Sequence, residues 1–158
     1  MPITATSTVR TISTELFEEA LAKTAADLPG KLHVFIDEAS RLGVYAEQKK
    51  TLFLLARAAG VEAALKLGYV DTAGRLWTDV VSSSTAAPAP ARQYLQTLAH
   101  LIGGSIAGSE KYPRVVNSRG VTPPVAEFLD VYKAGWLGAI QAFIAQTQAV
   151  ASASEDDR

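Results

Sequence analysis

Apolar positions recur at intervals of three and four through most of the chain, the period that turns one face of a helix toward a core. Residues 14–28 place Phe17, Ala20, Leu21 and Leu28 on one side, with Glu15, Glu18, Lys23 and Asp27 around the rest. They predict an amphipathic helix capped by Ser13 and ended by Pro29-Gly30. From 31 to 42, Leu32, Phe35, Ile36, Ala39 and Leu42 predict a second helix that Gly43 closes. A strand over 32–36 is the competing reading, since a brief apolar run serves either state. Residues 46–59 carry Leu52, Phe53, Leu54, Leu55, Ala56, Ala58 and Ala59 almost unbroken, which reads as a helix covered on several sides and the expected centre of the core. Gly60 then separates it from a short helix over 61–67.

The segment Asp71-Thr72-Ala73-Gly74 fits a type I turn between short strands at 69–70 and 76–77. Asp71 or Thr72 also fits the cap of a helix running to Val81. The helix is favoured because Trp77 and Val81 would then share a face. Residues 82–90, rich in Ser, Ala and Pro, predict a loop or hinge. Leu95, Leu98, Ala99 and Ile102 mark a helix over 91–102, and Thr122-Pro123-Pro124 opens a last one running to about residue 150. The resulting expectation is an all-α fold, a compact bundle of about six helices with a long C-terminal helix and at most one small β-hairpin. Residues 1–13 would form a flexible arm, 14–150 a single helical domain, and 151–158 a disordered acidic tail.

Two stripes run along the predicted last helix. Val125, Leu129, Tyr132, Trp136, Ile140 and Phe143 are bulky and suit a core. Gly135, Gly138, Ala142, Ala145 and Ala149 are the smallest side chains and let a second helix approach closely. No charge occurs between residues 134 and 154. An exposed helical face ordinarily carries Lys or Glu, so an outside partner is expected at Gly135, Trp136, Gly138, Ala142, Phe143 and Ala145, the competing reading being a helix of the same domain packed on the small stripe. A homodimer or a helical protein partner fits that pattern.

Composition narrows the function classes. The 158 residues hold 15 basic and 16 acidic side chains, so the chain as a whole lacks the positive surplus of a non-specific nucleic-acid or anionic-membrane binder. There is no cysteine, hence no disulfide, thiolate nucleophile or cysteine zinc site. The N-terminus has no secretory pattern, the glutamines at 141, 146 and 148 interrupt the most apolar stretch, and a cytoplasmic protein without a membrane span is expected. His33, Asp37 and Arg41 share a helix side as an ion-pair ladder, and His100 reads as a packing residue rather than a base. No pattern calls for a metal or other cofactor, and a non-catalytic binding or regulatory module is the favoured function.

Two alternatives come from local chemistry. The loop at 103–122 holds Lys111, Tyr112, Arg114, Asn117 and Arg119 against a single Glu110, a set that suits an anion or acidic partner, and a small-molecule-binding protein with an anion-binding loop at 108–120 follows from it. Residues 46–81, read as helix, turn, short helix and wing with Lys49, Lys50, Arg57, Lys66 and Arg75, outline a DNA-binding regulator. The run His33-Val34-Phe35-Ile36-Asp37-Glu38, continued by Ala39-Ser40-Arg41-Leu42-Gly43, is loosely similar to a segment of conjugative coupling ATPases. It comes without the Gly-x-x-x-x-Gly-Lys-Ser/Thr loop that cradles phosphates, so nucleotide hydrolysis is not expected of it.

Overall fold

The computed structural model describes residues 4–85 and 88–156, and the side chains of most of them. Parts of the expected arm (1–3), loop (86–87) and tail (157–158) lie outside the described residues. The fold is α+β, which corrects the all-α helical bundle. Two helices, α1 (Thr4–Thr24) and α2 (Leu28–Ala39), lead into four strands, β1 (Val44–Gln48), β2 (Leu52–Ala56), β3 (Leu65–Val70) and β4 (Leu76–Trp77). Helix α3 (Pro88–Leu101), a hairpin of β5 (Ser105–Gly108) and β6 (Pro113–Val116), and helices α4 (Val125–Asp130) and α5 (Lys133–Asp156) complete the chain. Strands β1 to β4 form an antiparallel sheet in sequence order, and β5 and β6 pair with each other.

The main correction falls on residues 46–81. The apolar run expected as the central helix is strand β2, with Leu54, Leu55 and Ala56 buried between neighbours on both sides. An unbroken Leu-Phe-Leu-Leu run has no period of its own, and here β pairing with Val44–Gln48 and Leu65–Val70 decides its state. The short helix at 61–67 is absent, its second half being β3. At 71–74 the turn prevails over the helix. Asp71 Oδ1 accepts the backbone N–H groups of Ala73 and Arg75 at 3.0 and 2.9 Å, the backbone-mimicking role that favours Asp at the head of a turn.

Side chains alternate across the pleat, so one sheet face carries Val44, Leu54, Ala56, Val70 and Leu76, all buried. The helices cover this face. A bulge between Leu54 and Leu55 leaves Leu67 without a partner on β2, and the Tyr94 hydroxyl of α3 donates to the Leu67 carbonyl at 3.0 Å. The same hydroxyl accepts the Trp136 indole N–H at 3.0 Å. Trp136 stacks on Phe35 of α2 with centroids 4.2 Å apart, and Tyr94 stacks on Phe143 at 5.0 Å. This aromatic cluster is where α2, α3 and α5 meet. Gly68, at φ +143°, lets β4 come close, since a Cβ there would lie 2.8 Å from the Trp77 carbonyl.

The long C-terminal helix is broken in two, at Val131 and Tyr132. Most of its bulky stripe survives the break: Val125, Leu129, Trp136, Ile140 and Phe143 are buried, while Tyr132, at the break, is half-buried. The expected loop at 103–122 is largely the β5–β6 hairpin, which packs on α3 and is tied to the end of β4 where the Val115 N–H donates to Thr78 Oγ1 at 2.8 Å. Ion pairs hold the helical layer at its edge. Lys31 reaches Asp130 at 2.6 Å and Asp27 at 3.1 Å, and Lys133 reaches Glu38 at 2.9 Å. The two carboxylates, Asp130 first, hold the Lys31 ammonium above its usual value.

Candidate functional site

With one sheet face given to the core, the other carries the alternate residues of each strand. The register places Glu47, Phe53, Tyr69 and Trp77 in one row across all four strands. Phe53 and Tyr69 lie with ring centroids 5.2 Å apart at 32°, and Tyr69 and Trp77 lie 6.3 Å apart at 10°. Tyr45 stands beside the row, opposite Leu55. All four aromatic side chains are half-buried, although Phe, Tyr and Trp of a small domain ordinarily go inside. Trp77 is fixed in orientation because its indole N–H donates to Asp71 Oδ2 at 2.8 Å, using the carboxylate oxygen that the turn leaves over.

Cations stand over these rings. Lys49 lies 5.4 Å and Lys66 6.0 Å from the Phe53 centroid, Arg57 lies 5.0 Å from that of Tyr45, and Arg114 reaches across from β6 to within 6.0 Å of Trp77. Lys49 is paired with Glu47 at 3.3 Å. Among the described residues no ion pair joins Lys50, Arg57, Lys66 or Arg114. Arg114 Nε and Asp79 Oδ1 are buried without a hydrogen-bond partner there, which is uncommon enough in a folded protein to call for an explanation. Burial, reinforced by the Asp79 carboxylate and then by Asp71, raises the Tyr69 hydroxyl above its ordinary value and keeps it a neutral donor. The face therefore combines flat apolar groups, the cations Arg57, Lys66 and Arg114, a Lys49 already paired with Glu47, and the carboxylates of Asp71 and Asp79 near Trp77 and Tyr69.

The residues expected at a partner interface on the last helix are divided by the structure. Trp136 and Phe143 belong to the core, and Gly135 meets its own fold, since a Cβ there would lie 2.6 Å from Leu101 Cδ2. Gly138, Ala142 and Ala145 are exposed. The expected anion loop is divided as well. Lys111 and Tyr112 are exposed at the hairpin tip, and Arg114 belongs to the sheet face. Asn117 and Arg119 lie beyond β6, where they share a cavity of about 410 Å³ with Arg75 and Glu127. There Asn117 Oδ1 is engaged with the Arg119 and Val121 N–H groups, Arg75 donates to the Thr122 carbonyl at 2.8 Å, and Glu127 opposes the arginines.

The DNA-binding outline loses its recognition helix, because residues 61–67 are loop and the start of β3, and no α-helix lies within 46–81. Its cations Lys49, Arg57 and Lys66 are instead brought together on the sheet face. The ladder expected on α2 is replaced by a pair between helices, His33 Nε2 lying 3.2 Å from Glu18, and His100 is exposed rather than packed. Among the described residues no three of His, Asp and Glu are placed to hold a metal ion, and no helix is long and apolar enough to cross a membrane. The aromatic row escaped the sequence reading because a helix was assigned where strands alternate. Taken as strands, 44–48, 52–56 and 65–70 put Tyr45, Phe53 and Tyr69 on one face at a period of two. The chain matches no family model, no curated protein and no solved structure in the comparisons made.

Proposed function

We propose that this chain is a non-catalytic binding protein that takes up a single-stranded nucleic acid on the outer face of β1–β4. The observation that carries the reading is the row Phe53, Tyr69 and Trp77 with Lys49, Lys66 and Arg114 standing over its rings. Every base offers a π-face to an aromatic side chain, and phosphates on either side of a stacked base meet the cations. A duplex fits poorly, since its bases are stacked on one another. Protein interfaces also favour Tyr, Trp and Arg but are depleted in Lys, and here two lysines flank the central phenylalanine. The charge of the whole chain, −1, is no obstacle, because the attraction is local to the face. A cytoplasmic setting belongs to the same proposal.

Fluorescence anisotropy of short labelled oligo(dT) and oligo(U) tests the reading. Contact with three or four phosphates gives a slope of about −2 to −3 in log K against log salt, so affinity falls roughly 15- to 60-fold between about 50 and 200 mM. Trp77→Ala should weaken binding roughly 5- to 150-fold through lost stacking. Absence of binding at low salt, or binding that Trp77→Ala leaves unchanged, would exclude the proposal.

The exposed, uncharged side of α5 supports a second reading, self-association through Gly138, Ala142 and Ala145. Sedimentation velocity across micromolar concentrations tests it, with Gly138→Lys expected to dissociate a dimer. A monomer throughout removes this reading and leaves the first untouched.

A further inference from the structure

A cleft of about 420 Å³ opens between α1, α2 and the β1 edge of the sheet, with Tyr45 among the residues that line it. Its wall is apolar: Phe17 and Leu21 come from α1, Leu32 and Ile36 from α2, and Val44 and Leu52 from the sheet. The volume lies within the range of small-molecule sites, roughly 300–1,000 Å³, which are likewise mostly apolar with a few polar groups that set orientation. Among the described residues its charged groups are mostly carboxylates: Glu18 and Asp37 are acidic, and His33, the one basic side chain among them, lies 3.2 Å from Glu18. With His33 neutral or protonated these three groups together stay net negative. A cleft with low-dielectric walls and charge of one sign concentrates the opposite charge.

We infer that this cleft is a binding site for a small amphipathic cation, a molecule with an apolar body and an ammonium head. The body displaces water from the wall between α1 and α2, and the head sits between Glu18 and Asp37. A carboxylate or phosphate head is disfavoured, because no lysine or arginine is found among the described residues that line the cleft. Tyr45 is shared with the edge of the sheet face, but the inference rests on Glu18, Asp37 and the apolar wall and not on the aromatic row.

Decylammonium, decanol and decanoate share a chain and differ in the head, so isothermal titration calorimetry at sub-micellar concentration isolates the charge. Decylammonium should bind one to one and at least about fivefold more tightly than decanol, with decanoate weakest. Asp37→Asn, at an exposed position, should bring decylammonium close to decanol and leave decanol unchanged. Ile36→Trp should fill the cleft and abolish binding of both. Should that variant misfold by circular dichroism, amide shifts of the wild-type protein on adding decylammonium must map to α1, α2 and β1. Equal affinity for the three heads, tighter binding of decanoate, no saturable binding, or shifts elsewhere would overturn the inference.

Discussion

Replacing Tyr94 with Phe removes one oxygen and strands two buried groups. The hydroxyl donates to the carbonyl of Leu67, which the bulge leaves without a partner on β2, and accepts the indole N–H of Trp136, itself 0% exposed. A buried polar group left without its partner costs about 1–3 kcal/mol. Both losses arise from one atom and are not additive, so the expected cost is roughly 2–4 kcal/mol. For a chain of this length each kcal/mol moves Tm by about 2–4 °C, giving a fall of roughly 4–16 °C. Urea denaturation should show a lower midpoint at an unchanged m value, because the same surface is exposed on unfolding. Alkali gives a second readout. Burial raises the Tyr94 hydroxyl well above 10.0, the value taken for the unfolded chain. The contribution to stability is therefore complete below pH 10 and declines as pH rises beyond it, by at most about 1.4 kcal/mol per pH unit. The Phe variant lacks that part of the slope. A variant within about 0.5 kcal/mol of wild type, with the same alkaline slope, would refute the hydrogen-bonded core described above.

Three further substitutions probe other parts of the fold. Gly104→Ala should destabilise by at least the roughly 1–3 kcal/mol of an overpacked site, because its Cβ would run into the Val116 carbonyl oxygen; an unchanged urea midpoint would contradict that packing. Gly138→Ala should stabilise by about 0.5–1 kcal/mol, since nothing lies within 4 Å of the new Cβ in the isolated chain. A thermal melt showing loss instead would point to a partner on that side of α5. Asp71→Ala should cost roughly 1–3 kcal/mol by freeing the β3–β4 turn, and should weaken oligonucleotide binding by releasing the Trp77 indole; wild-type affinity in the variant would disconnect the turn from the site.

Where the hydrophobic period was long, the sequence was legible. Helix α2 buries Leu32, Phe35 and Ala39 as their spacing implied, α3 buries Leu95, Leu98 and Ala99, and the stripe from Val125 to Phe143 is core despite the break at Val131. The sheet was not legible, for physical reasons. Strand β2 is five residues long and nearly all apolar, so it lacks the alternation that marks a half-exposed strand. The β1–β2 turn is Lys49-Lys50-Thr51, with none of the Gly, Asn, Asp or Pro that announce a hairpin. Long-range pairing overrode local preference there, and with it the faces of residues 44–70 changed. The site followed the sheet: the basic residues were identified, while Phe53 was assigned to a core helix and Trp77 to a helix running to Val81. Arg114 joins Trp77 only through docking of a hairpin that the glycine-rich segment concealed.

The two tryptophans offer a direct test, because one lies on the sheet face and the other in the core. Indole N–H signals in a ¹⁵N correlation spectrum, assigned with Trp77→Phe, can be followed as unlabelled oligo(dT) is added at low salt. The Trp77 signal should shift progressively to saturation while that of Trp136 stays in place. An unmoved Trp77 signal, under conditions where anisotropy reports binding, would contradict the sheet face as the place where the strand lies.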